Sequence, residues 1–122
     1  MTRTLLDESA IHPAIRQQIA ELHLPVIRQV QAAVAQHPVV VVGMSGNPFV
    51  GKARKVLTQV GVAHQYLEFG SYLSQWRLRN ALKMWTGWPT FPMVFVNGML
   101  VGGANDLRRL IESGEFKTLL KP

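Results

Sequence analysis

The stretch from Gly43 to Arg54, GMSGNPFVGKAR, sets an Asn-Pro pair between a run of valines and a basic helical pattern. Asn47 offers a side-chain cap, and Pro48 fits the first helical position, where a missing N–H does no harm. A helix that begins there turns free N–H groups and the positive end of its dipole outward, a setting that stabilises an anion or an anionic nucleophile. A second such setting is the turn GGAND, residues 102 to 106. Its glycines allow close approach of a ligand, and the N–H groups of Ala104 and Asn105 at a helix start form an anion site. Each stretch also has a plain structural reading, Asn47-Pro48 as a helix start and VGGAND as a hairpin exit with its capping turn. Ser45, beside Gly46, has no base and orienter near it in sequence, as a catalytic serine would need. The histidines at 12, 23, 37 and 64 show no metal-ligand spacing, so no metal site is expected.

The chain contains no cysteine. That excludes a disulfide framework, a cysteine-ligated iron–sulfur cluster and any protein thiol nucleophile. At 122 residues, with 48% hydrophobic content, three Trp and five Phe, one packed domain is expected rather than a disordered chain. Thirteen Lys and Arg against seven Asp and Glu give a formal charge of +6, which favours anionic partners. The basic residues are dispersed, without a long run or zinc-finger spacing, so nucleic acid is not an expected partner. The N-terminus carries acidic residues and lacks an apolar core, and PVVVVGM is too short to cross a bilayer. A soluble, cytoplasmic protein that does not meet membranes is the expectation.

Positioning these residues requires an alternation of helices and strands. Apolar residues Ile15, Ile19 and Leu22, then Val26 or Ile27, Val30 and Val34, recur at helical spacing from Ile11 to Gln36, and Pro25 splits or kinks the helix. Val39 to Val42 is a buried central strand, and the helix from Pro48 to about Gln59 is stopped by Gly61. VAHQYLEF is a second strand. The next helix carries Leu78, Leu82 and Trp85 on one face and ends at Gly87, with Trp85 and Trp88 read as packing residues. PMVFVNGMLVGG is a hairpin around Asn97-Gly98, followed by a helix with Leu107, Leu110 and Ile111 that halts at Gly114, and by a tail helix EFKTLL. Strands separated by helices pair in parallel, and the closing hairpin adds antiparallel strands. The expected architecture is a thioredoxin-like α/β fold with a four-stranded mixed sheet flanked by helices. Residues 1–37 form an N-terminal helical extension and residues 38–122 the main domain.

In NPFVGKAR the strand, loop and Pro-initiated helix stand where the glutaredoxin family places Cys-Pro-Tyr-Cys or Cys-Gly-Phe-Ser. GWPTFPMVFVNGMLVGGANDLRRLIESGEFKTLL resembles that family's Trp-Pro-Thr segment, hairpin, Gly-Gly-Cys-Asp turn and last helices, and RNALKMWTGWPT is similar to its monothiol branch. The likeness runs from about Val39 to Leu120. It implies that Asn47 and Val50 occupy the two sulfur positions, that Phe49 is the active-site aromatic and that Arg79 meets the glycyl carboxylate of glutathione. It implies a cis Pro92 after Thr90 and Phe91, with the Phe91 N–H and C=O offered to an extended thiol peptide. Gly103, Ala104 and Asn105 would take the γ-glutamyl carboxylate, and Asn105 and Asp106 stand at or next to the acidic position for its amino group. Met44 replaces a lysine usual in the family, which removes one carboxylate contact.

Three functions follow from that resemblance. The first is a non-catalytic module that binds glutathione or an extended peptide segment of a partner protein. The second is a glutathione-dependent oxidoreductase, which fails here on chemistry because exchange proceeds by thiolate attack through a mixed disulfide. The third is a protein-interaction scaffold with a vestigial groove, in which the N-terminal helices cover the sheet or form a homodimer. No iron–sulfur cluster is expected, since the family's route needs the missing active-site cysteine.

Overall fold

The computed structural model describes residues 2–121. After a single 3-10 turn, Glu8–Ala10, the chain forms α1 (Pro13–Glu21), α2 (Leu24–Gln36), β1 (Val39–Gly43), α3 (Pro48–Gln59) and β2 (Gln65–Glu68). It continues through α4 (Trp76–Thr86), β3 (Met93–Val96), β4 (Met99–Gly102), α5 (Ala104–Ser113) and α6 (Glu115–Leu120). The four strands make one sheet in the order β2-β1-β3-β4. β1 pairs in parallel with β2, Val41 opposite Tyr66, and antiparallel with β3, Val41 opposite Val94. This is the mixed thioredoxin-like sheet that the sequence implies.

All five residues of β1 are buried because both faces of the sheet are covered. Successive side chains of a strand point to opposite faces, and the valines divide accordingly. Val40 and Val42 join Val26 and Val30 of α2, Leu82 of α4, and Met93 and Phe95 of β3 in one core cluster. Val39 and Val41 join Ala53 and Leu57 of α3, Val94 and Val96, Leu107 of α5 and Phe116 of α6 in the other. The second half of the N-terminal extension is therefore part of the core. α1 buries no residue, and Ile15 and Ile19 on its apolar stripe remain 45% and 51% exposed.

The break between α1 and α2 falls at Leu22 and His23. His23 takes a left-handed conformation, and Pro25 sits in the first turn of α2, where its missing donor costs nothing. At the β3–β4 turn Asn97 (φ 45°) and Gly98 (φ 83°) both take positive φ, as a type I′ hairpin demands. The Asn97 amide also donates to the Leu119 carbonyl at 2.6 Å and ties the turn to α6.

The β2 edge carries a small titratable cluster. Arg54 stacks over the Tyr66 ring, 4.0 Å from its centroid, and its Nε donates to His64 Nε2 at 3.2 Å. Burial, and then the neighbouring guanidinium charge, hold His64 below its ordinary value of 6.5. Burial and the hydrogen bond to Glu68 push the Tyr66 hydroxyl up to about 12. For His64 the unfolded chain binds more protons than the folded one, so the stability it contributes is present above its unfolded value and is lost as pH falls through the depressed one. In urea titrations, the stability of the native chain relative to His64→Gln is expected to decrease between about pH 7.5 and about pH 5.5. A pH-independent difference refutes this account, since the other histidines are common to both proteins.

Candidate functional site

Asn47 caps α3: its Oδ1 accepts the Phe49 N–H at 2.9 Å and the Val50 N–H at 3.4 Å. Its Nδ2 donates to the Phe91 carbonyl at 3.4 Å, so one side chain joins the helix start to the segment before β3. That segment contains the cis Phe91–Pro92 peptide bond, and both residues are buried. The expectation that Phe91 offers both of its backbone groups to a ligand needs adjusting. Its C=O already accepts a long bond from Asn47, and only the second lone pair is open.

Val50 is buried at 4% exposure and packs beneath β1. A Cβ at Gly43 would lie 2.7 Å from its Cγ1, so glycine is what lets α3 lie this close to the strand. Val50, where the resemblance implies the second sulfur position, is thus a core side chain. Phe49 by contrast is exposed, with the Lys52 ammonium 5.0 Å from its ring centroid.

The start of α5 is built by Gly102, Gly103 and Asp106. Asp106 Oδ2 accepts the Gly103 N–H at 2.9 Å, which caps the helix. Gly102 has φ 111°, and a Cβ there would fall 2.7 Å from that carboxylate oxygen, so only glycine lets Asp106 fold back. The carboxylate expected to recognise an amine is thus engaged on one oxygen, and its Oδ1 lies 4.0 Å from Arg109. Intrahelical bonding leaves the N–H groups of Ala104 and Asn105 without partners.

Eight of the ten positions singled out for ligand contact line one cavity of about 260 Å³: Phe49, Thr90, Phe91, Pro92, Gly103, Ala104, Asn105 and Asp106. Asn47 borders it through the Phe91 carbonyl. Arg79 is placed elsewhere. It is buried at 7% exposure, and its Nη1 donates to the carbonyls of Phe69 (2.9 Å) and Ser74. Lys83, one helical turn further on, has its Nζ 5.8 Å from the centroid of the buried Phe91 ring.

Trp88, expected from the sequence to be a packing residue, is the ninth lining residue. Its indole Nε1 is buried, has no hydrogen-bond partner among the described residues, and lies near Gly103 on the groove wall. Larger surface depressions, about 570 and 640 Å³, lie between α2 and the hairpin and between β4 and α6. The groove itself is lined by Phe49 in the first turn of α3 and by Ala104, Asn105 and Asp106 in the first turn of α5. The positive dipole ends of α3 and α5 are therefore both close to the groove. Among the described residues no group of His, Asp or Glu could hold a metal ion.

The glutaredoxin family model matches residues 39–101, which hold β1, α3 and the groove segment before β3. A glutaredoxin-like protein of Dictyostelium discoideum is 47% identical over 104 residues, 84% of this chain and 85% of that protein. The chain belongs to the glutaredoxin family. Mitochondrial monothiol glutaredoxin-5 of Schizosaccharomyces pombe is 32% identical over 114 residues, 88% of this chain and 77% of that one. Among solved structures, the buckwheat glutaredoxin–glutathione complex superposes with a TM-score of 0.73 at 25% identity, covering 82% of this chain and 91% of that one. The chain itself has no cysteine, and an amide and an isopropyl group stand at Asn47 and Val50.

Proposed function

We propose that this glutaredoxin-family chain is a non-catalytic module that binds glutathione or a short extended peptide in the groove between α3 and α5. The observation that carries the reading is the convergence of Phe49, the segment Thr90 to Pro92 and the turn Gly103 to Asp106 on one cavity beside the starts of α3 and α5. Glutathione fits what is there: amides at Ala104 and Asn105 for a carboxylate, the Phe91 backbone for an extended chain, Lys83 for a second carboxylate, and a buried indole donor without an acceptor. Bound glutathione would supply a thiol. The chain would supply position and charge only, since disulfide exchange by the protein itself needs a thiolate. A cluster would likewise find no protein thiolate.

A second reading, a scaffold whose groove no longer binds, draws on two features. Asn47 already occupies a lone pair of the Phe91 carbonyl. Met44, standing in place of a lysine, is turned into the core at 5% exposure.

Titration with glutathione and with S-methylglutathione, followed by amide shifts, separates the two. The module reading expects both to move Phe91, Ala104 and Asn105 with similar micromolar to low-millimolar affinity. Lys83→Ala is expected to weaken both by about threefold, the size of one exposed charge pair. Silence at those amides at ~10 mM ligand selects the scaffold.

A further inference from the structure

We infer that the groove continues into a basic cleft between α3 and α5, and that its occupant is an extended acidic segment of a partner protein. This rests on the reading of the groove as a binding site. Ala104 and Asn105 line the groove, and the same two residues line a second cavity of about 290 Å³ together with Lys52, Lys55 and Arg108. The two cavities therefore share one wall, the first turn of α5. Lys52 marks the same junction from the other side, with its ammonium over Phe49.

The charge in the cleft is unbalanced. No acidic side chain lines it, and among the described residues neither lysine lies within ion-pair distance of a carboxylate. Arg108 has one partner, Glu112 at 3.9 Å along its own helix, and both side chains are largely exposed, so that pairing holds the guanidinium only weakly. The chain as a whole carries +6, so nothing distant offsets the local field.

The shape selects the class of ligand. The cations belong to two helices and lie along the cleft wall, which suits side chains spaced along an extended chain better than a single compact anion. The adjoining Phe91 backbone can pair with such a chain. A single-stranded nucleic acid would need aromatic faces for its bases, and the cleft wall between the cations is Val56 and Gln59. Carboxylates on a peptide that leaves the groove past Ala104 meet Lys52, Lys55 and Arg108 in turn.

The test titrates the chain at low salt with S-methylglutathione and with the capped peptides acetyl-Gly-Val-Val-Glu-Glu-Glu-amide and acetyl-Glu-Glu-Glu-Val-Val-Gly-amide. Their glutamine counterparts, inorganic phosphate and a short oligothymidylate complete the set. At least one acidic peptide is expected to move the Phe91, Ala104 and Lys55 amides together and to bind about fivefold tighter than its glutamine counterpart. Lys55→Gln combined with Arg108→Gln is expected to abolish that difference and leave S-methylglutathione affinity unchanged. Equal binding of the glutamate and glutamine peptides, with S-methylglutathione still moving Phe91, overturns the cleft and leaves the groove. Silence of S-methylglutathione at Phe91 and Ala104 overturns the groove, and the cleft's role with it. Phosphate or oligothymidylate binding at Lys55 as tightly as the peptides, with Phe91 unmoved, overturns the peptide as occupant.

Discussion

Asn47→Cys is expected to turn a chain without exchange activity into one that cleaves glutathione mixed disulfides, with the native protein and Asn47→Ser both at background. The expectation comes from what Asn47 does now. Its Oδ1 gathers the N–H groups of Phe49 and Val50 at the start of α3, and a thiolate in its place meets the same donors and the same dipole end. Lys52 adds a positive charge beside Phe49. A thiol in that setting should titrate below about 7.5, against about 8.5 for a free cysteine. The thiolate attacks the glutathione sulfur of the mixed disulfide, forms a protein–glutathione disulfide and releases the other thiol. A second glutathione thiolate then restores the protein thiolate and leaves as glutathione disulfide. No second protein thiol can take part, because the native chain contains no cysteine and Val50 stands at the other position. Loss of the cap costs about 1 kcal/mol, which a folded domain tolerates. Iodoacetamide alkylation against pH reads the thiol directly. An ordinary pKa near about 8.5, with no exchange above background, would show that the end of α3 does not act on the groove.

The features legible in the sequence are those whose causes lie within a few residues. β1 shows itself through four consecutive valines, α3 through Asn47-Pro48 at one end and Gly61 at the other, and the hairpin through Asn97-Gly98, because cap and turn chemistry act locally. The groove was legible through the order and spacing of such local motifs, and for that reason eight of its lining positions are found together. Contacts set by tertiary packing were not. The stripe Ile15, Ile19 and Leu22 has the same period as Val26 and Val30, yet only α2 has a sheet face to cover. The Asn47–Phe91 bond spans 44 residues, and no local signal encodes it. Lys52, Lys55 and Arg108 read as dispersed charges along the chain, and become a cluster only where α3 packs on α5. Arg79 stands at a ligand-contacting spacing, but its side chain follows the loop from Phe69 to Ser74. Positive φ at Gly70 and Gln75 bends that loop back over it.

Arg79→Ala is expected to destabilise the fold by about 2 to 4 kcal/mol while changing glutathione affinity less than Lys83→Ala does. Arginine stays charged when buried, and a buried charge without a counter-ion persists only if oxygen acceptors replace its water. Here those acceptors are the carbonyls of Phe69 and Ser74, and among the described residues no carboxylate lies within ion-pair distance. Truncation removes charge-assisted hydrogen bonds from both carbonyls and leaves a cavity beside α4, two losses that act in the same direction. Arg79→Lys keeps the charge but not the planar fork, and should recover only part of the loss. Arg79→Met fills the space without a charge and separates packing from hydrogen bonding. Urea midpoints give the stability, and hydrogen exchange at the Phe69 and Ser71 amides should rise first, because the loop loses its internal clamp. Ligand titration at a temperature where every variant is folded decides the assignment. If Arg79→Ala keeps its midpoint and loses glutathione binding tenfold, the guanidinium must swing into the groove, and the clamp described here is not its role.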